Sequence, residues 1–195
     1  MLLPRWFKDF LKIFGIRLHR MYYFEQDLRK PVGFVESPIP INVKKTSKED
    51  TDELLKLLNI GEKKRFEECL KENYICYIAK NEEKIAGYGW INTEDIFFNR
   101  SIGTIAKNGA YSFDNFVFPE FRGKKVFQKI ITAYCEDLHN RGYEFVCNLT
   151  EVSNIPAVKA RENLSTKKKL VFIILLPFGL RIILNGPIGQ GKMIK

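Results

Sequence analysis

The chain has 195 residues, 45% hydrophobic and 28% charged, with sixteen Phe, eight Tyr and two Trp. At roughly 100–200 residues per domain that is one domain with room for a short appendage, and so apolar a composition excludes disorder over the whole length. The net charge of +9 sits at the ends: residues 1–20 hold five basic side chains and one acidic, residues 161–195 seven and one, and the stretch between is balanced at 20 against 21. A nucleic-acid surface is therefore not expected. The basic ends suit instead an acidic membrane surface, touched peripherally through the N-terminus.

The first twenty residues carry Phe7, Phe10, Leu11 and Phe14 at i, i+3, i+4 and i+7, with Lys8 and Lys12 off that stripe. This predicts a short amphipathic helix, packed on the domain or lying at a membrane interface. Charges interrupt it, so it is not a signal peptide and a cytoplasmic protein is expected. The Pro-rich run Glu36-Ser37-Pro38-Ile39-Pro40 reads as a linker. Residues 1–40 are thus expected as an appendage, 41–185 as the main domain and 186–195 as a basic tail.

Within the main domain, residues 41–45 predict a strand. Ser47 caps a helix to Leu58, with Glu49 and Asp50 in the first turn where the helix dipole favours anions. A second helix follows over 62–72. Tyr74–Lys80 and Lys84–Ile91, joined by Asn81-Glu82-Glu83, predict a hairpin. Residues 92–109 have no clear period. Tyr111–Phe118 is a strand ending at Pro119. Val126, Ile130, Ile131, Tyr134 and Leu138 recur at helical spacing until Arg141-Gly142 stops the helix. Tyr143–Leu149 is a strand, and Asn154 caps a last helix to about Leu164 with Pro156 in its first turn. Leu170–Leu184 is apolar but broken by Pro177, Gly179 and Arg181, too short for a spanning helix and read as two buried strands. The fold class is α/β: a mixed central sheet flanked by helices, with a right-handed crossover between the strands at 111–118 and 143–149.

Cys69, Cys76, Cys135 and Cys147 form no Cys-x-x-Cys pair, and the two histidines, His19 and His139, share no ligand spacing with them. Neither a metal site nor disulfides are expected, and no histidine is placed to help catalysis.

The segment Asn115–Gln128 is the informative one. A strand ends, the chain turns, and a helix starts at a basic cluster containing Lys124 and Lys125. The first N–H groups of a helix have no intrahelical partner. Together with the dipole they make an anion site that suits a pyrophosphate, and a basic first turn opposes the dipole unless an anion binds there.

This string resembles the cofactor motif of the GNAT N-acyltransferases. Val117, Pro119, Glu120, Phe121, Arg122, Gly123, Lys124 and Val126 match its extended form. Lys125 stands where the first glycine is usual, and Phe127 where the second is. Downstream, Asn154-Ile155-Pro156-Ala157 matches the family's Asn-x-x-Ala, whereas Arg161 takes the place of a frequent tyrosine and Ser165-Thr166 replaces Gly-Phe. The likeness spans about residues 41–165.

It implies acetyl-CoA or another acyl-CoA as co-substrate, a small-molecule or peptide amine as acceptor, and direct attack of that amine on the thioester. The strands at 111–118 and 143–150 would splay to admit pantetheine. Backbone groups of Asn115, Phe116 and Val117 would pair with it, and Gly123, Lys124, Lys125, Val126, Phe127 and Gln128 would hold the pyrophosphate, with Asn154 nearby. The amine needs a general base, for which the carboxylates beside the motif, Asp114 and Glu151, are the candidates; the proton for the leaving thiolate comes from Tyr111, Tyr134 or water, or no group supplies it. The alternative is a catalytically degenerate CoA-binding or interaction module.

Overall fold

The computed structural model describes residues 10–33, 35–94, 108–177, 181–184 and 193–194. Residues 95–107, including Asp95, lie outside them, as do Trp6, Phe7 and nearly all of the basic tail. The chain forms two compact units, one drawn from residues 1–26, 95–107 and 147–195, the other from 27–94 and 108–146.

The second unit begins with β2 (Asn42–Lys45), α1 (Lys48–Leu57), α2 (Ile60–Lys71), β3 (Ile75–Asn81) and β4 (Lys84–Asn92). It continues with β5 (Gly109–Val117), a 3-10 turn at Pro119–Phe121 and α3 (Val126–Asn140). Its strands run in the order β2-β3-β4-β5, each antiparallel to the next. The expected Ser47 cap closes reciprocally with Asp50, and Asn59, not among the expected caps, does the same with Glu62. Such a box satisfies two orphan N–H groups at once. α3 ends at Arg141, and Gly142 takes φ +84°, the left-handed turn that glycine adopts without a steric cost.

Period-two alternation divides the core. Cys76 and Ile78 of β3, with Tyr88 and Trp90 of β4, pack against Leu54, Leu58, Phe66 and Cys69 of the α1–α2 segment. Phe66 stands edge-on to Trp90 with ring centroids 4.7 Å apart. On the opposite side Tyr77 meets Tyr134 of α3 at 6.0 Å and donates its hydroxyl to Asp137 at 2.6 Å. The buried stripe Val126, Ile130, Ile131, Tyr134 and Leu138 is the one that the helical spacing predicts.

The first unit contains β1 (Arg17–Asp27, to Gln26), β6 (Phe145–Glu151, from Cys147), α4 (Ile155–Glu162), β7 (Lys167–Leu175), β8 (Arg181–Leu184) and β9 (Met193–Ile194). Its strand order is β6-β1-β7-β8-β9. The expected element order has no strand before residue 41, yet β1 runs for 11 residues and pairs antiparallel with β7 from Arg17↔Leu175 to Glu25↔Lys167. Residues 10–13 are helical, and Phe10 and Phe14, from the predicted stripe, meet edge-on with ring centroids 5.1 Å apart in exposed positions. Among the described residues no helix is long and apolar enough to cross a membrane.

Candidate active site

The β4–β5 pairing is irregular at one place. Tyr88 faces Phe116 and Trp90 faces Phe113, so Asp114 and Asn115 both stand opposite Gly89. This is a β-bulge, which bends the strand and re-aims its side chains. Asp114 absorbs it with φ +46°, in the left-handed region that a non-glycine residue rarely adopts. The glycines of β4 make the close approach feasible. A Cβ on Gly87 would lie 2.5 Å from the carbonyl oxygen of Phe116, and one on Gly89 would press on Ile130 Cγ2 at 3.1 Å and the Asn115 amide carbon at 3.2 Å.

After the bulge, Phe116 and Val117 resume pairing with β4, and the Phe118 N–H donates to Ala86 O at 3.0 Å. Phe121 is buried and pins the 3-10 turn. Arg122 folds back, donating Nε to Val117 O at 3.2 Å with its guanidinium 5.9 Å from the Phe116 ring centroid. Gly123 has φ +76°, and nothing lies within 4 Å of where its Cβ would be. Ser37, from the Pro-rich linker, donates its hydroxyl to Lys124 O at 2.8 Å.

Lys125 is the N-cap residue of α3, with φ +58°, and its side chain makes no capping hydrogen bond. The usual glycine at this motif position thus has a conformational reason, and lysine adopts the same turn at a cost of about 1–2 kcal/mol. The first α-helical bond of α3 runs from Lys129 N–H to Lys125 O, which leaves the amides before Lys129 outside the helical ladder. With Gly123 opening space in front of that end and Lys124 and Lys125 beside it, these residues fit a diphosphate.

Asp114 is half-buried and pairs with Arg65 of α2, Nε to Oδ2 at 3.1 Å. Burial pushes its carboxyl up, and Glu62 adds to that, while Arg65 pulls it down. The second predicted carboxylate, Glu151, is exposed at the end of β6 in the other unit. It lies 3.3 Å from His19 Nδ1 and accepts the Ser153 hydroxyl at 3.2 Å. β1 is the element that brings His19 beside Glu151. Asn154 caps α4, its side chain accepting from Ala157 N–H at 3.3 Å.

The structure thus gathers Asp114, Asn115, Phe116, Val117, Gly123, Lys124, Lys125, Val126, Phe127 and Gln128 in one unit, and places Glu151 and Asn154 in the other. Tyr134 is fully buried and Tyr111 nearly so. Arg161, where the motif favours tyrosine, is buried in α4. The four cysteines form no disulfide and are buried. Burial pushes the Cys69 thiol up to about 11 and that of Cys76 up to about 12, unsuited to a thiolate nucleophile. Among the described residues no group of His, Cys, Asp and Glu could hold a metal ion.

The family model for the acetyltransferase (GNAT) family matches residues 41–163. The chain belongs to the GNAT family, and its fold is that family's mixed sheet flanked by helices. None of the curated proteins compared matches it. Among solved structures it is similar to a GNAT-family acetyltransferase of Novosphingobium aromaticivorans, with 16% identity and TM-score 0.53, over 82% of this chain and 66% of that one. It is similar to a GCN5-related N-acetyltransferase of Sphaerobacter thermophilus, with 13% identity and TM-score 0.56, over 85% and 54%. It is also similar to an aminoglycoside acetyltransferase from an uncultured soil metagenomic sample, with 17% identity and TM-score 0.52, over 66% and 90%.

Proposed function

We propose that this chain is an N-acyltransferase that moves an acetyl or related acyl group from acyl-CoA to a primary amine. The observation that carries the reading is the turn from Phe118 to Val126. Two left-handed residues, Gly123 and Lys125, deliver the chain into a helix whose N-cap side chain makes no capping hydrogen bond, at a basic cluster. That arrangement is built for an anion at the helix N-terminus.

Acyl-CoA, when bound, supplies the thioester carbonyl. The chain's own residues then have three tasks. The turn holds the diphosphate. The β5 edge around Asn115 and Phe116 supports the pantetheine arm, whereas the Val117 carbonyl already accepts from Arg122. Asp114 takes the proton that the attacking amine gives up as its C–N bond forms and the C–S bond breaks. A lysine-like amine is almost wholly protonated at neutral pH, so a positioned base contributes roughly 10²–10⁴-fold. The acceptor is a small molecule or peptide bearing a primary amine; the aminoglycoside acetyltransferase it is similar to makes aminoglycosides one member of a test panel. We place the protein in the cytoplasm, with peripheral contact to an anionic membrane through its basic N-terminus.

A second reading is a CoA-binding module without turnover. Buried Arg161, in the position of the motif's tyrosine, favours it.

Calorimetry with acetyl-CoA, followed by free-thiol release with a polyamine, an aminoglycoside, glucosamine and a lysine peptide, separates the readings. Acetyl-CoA binding with amine-dependent thiol release is expected. Binding without release supports the module, and no binding refutes both.

A further inference from the structure

Arg65 lies outside the cofactor motif, and no part of the reading above uses it. Its guanidinium reaches from α2 to the Asp114 carboxylate, 3.1 Å away, where β5 is bulged and Asp114 holds φ +46°. A non-glycine residue in that conformation persists because its surroundings over-determine it, and such residues cluster at working sites.

The charged and titratable groups that act on Asp114, or feel it, come from three elements. α2 supplies Arg65, Glu62 and Cys69; β4 supplies Tyr88; β3 supplies Cys76. Burial raises the two thiols and the Tyr88 phenol, so all three are neutral near pH 7. The charges left are Arg65, which favours the carboxylate, and Glu62, which opposes it.

Resting on the acyltransfer reading, we propose that Arg65 is a positioning residue for the reaction: it holds the Asp114 carboxylate ionised and in one orientation, ready to accept the amine proton. Burial and Glu62 both raise that carboxyl, and Arg65 is the group that opposes them. Arg65 itself is 61% exposed at its side chain, so its removal leaves the core intact.

The test is the side-chain carboxyl titration of Asp114, followed by NMR in the full chain without ligand. It is set beside the pH profile of kcat/KM with acetyl-CoA and the panel amine that turns over. Arg65→Gln should raise the Asp114 midpoint by about one pH unit, the lower end of what a nearby opposite charge does. It should carry the acidic limb of the profile upward with it, costing about tenfold in rate well below the midpoint and little on the plateau. Arg65→Lys should restore most of both. Glu62→Gln should move both the other way, because glutamine keeps the capping box with Asn59.

An unmoved Asp114 midpoint in Arg65→Gln overturns the role of Arg65 while leaving Asp114 free to be the base. A shifted midpoint with an unshifted acidic limb removes Asp114 from the reaction, and the role of Arg65 with it. Absence of turnover with every amine refutes the acyltransfer reading itself.

Discussion

Gly87→Ala is the most informative single substitution in the β4–β5 region. The new methyl would stand 2.5 Å from Phe116 O and 3.3 Å from Val117 Cα, both backbone atoms, with Ile130 Cδ1 at 3.4 Å on the other side. Backbone atoms cannot rotate away, so β5 must retreat from β4 by several tenths of an ångström. Overpacking of this kind costs about 1–3 kcal/mol, and a backbone obstacle belongs at the upper end. The loss of chain entropy in the unfolded state returns roughly 0.4–1 kcal/mol. The net expectation is destabilisation by about 2 kcal/mol, or a fall in Tm of roughly 4–8 °C for a chain of this size.

Gly89→Ala supplies the control, because its methyl meets Ile130 and the Asn115 side chain rather than backbone. Asn115→Ala should therefore relieve part of the cost of Gly89→Ala and none of the cost of Gly87→Ala, which a double-mutant cycle reads directly. Urea unfolding gives the stabilities, and calorimetry with CoA gives the binding cost of displacing Phe116 and Val117. A Gly87→Ala protein as stable as the wild type, with unchanged CoA affinity, would refute the tight β4–β5 approach and its link to the cofactor edge.

Lys125→Gly should stabilise the chain by roughly 0.5–1 kcal/mol in urea unfolding, since relief of the left-handed cost outweighs glycine's entropy; Lys125→Ala should bring no such gain. Asp50 is the pH-sensitive structural group. Burial alone would raise its carboxyl, but Lys44, Lys80 and the Ser47 hydrogen bonds outweigh this and hold it well below the usual carboxylate range. Its folded value is depressed, so its contribution is present above about pH 4 and is lost as the pH falls further. Asp50→Asn should cost about 2–3 kcal/mol near pH 7 by leaving Lys80 short of a partner, and should flatten the acid branch of a stability-against-pH curve. Asp114→Asn should lower kcat/KM by roughly 10²–10⁴-fold. Because burial raises the folded Asp114 carboxyl, ionisation penalises the fold as the pH rises, so the variant's stability relative to wild type should improve from acid toward neutral pH.

Local chemistry was readable where it acts within a few residues. Ser47 and Asn154 cap the helices that their side chains predict. The hairpin lies at Ile75–Asn92, and Gly142 stops α3. The motif Pro119–Val126 also declares its own turn, in which Gly123 carries a positive φ. What was hidden depends on distant partners. β1 has no polar–apolar alternation, because intermediate burial runs along most of its length. Its identity as a strand comes from β7, 142 residues away at the Glu25–Lys167 pair. The same strand delivers His19 to Glu151, which no local pattern could reveal. The bulge at Asp114 is equally non-local: it follows from the β4–β5 register and from glycines 25 and 27 positions earlier, Gly89 and Gly87. Arg65 on α2 reads as an ordinary surface cation until the fold sets it against that bulge.

Binding of a diphosphate by the main-chain donors that follow Pro119 is read out by the backbone amide spectrum of the full chain titrated with CoA. The account predicts that the largest shifts fall on Gly123 to Gln128 and that pantetheine, which lacks the diphosphate, leaves those amides nearly unmoved. Equal shifts with both compounds, or CoA-induced shifts that bypass residues 123–128, would contradict it.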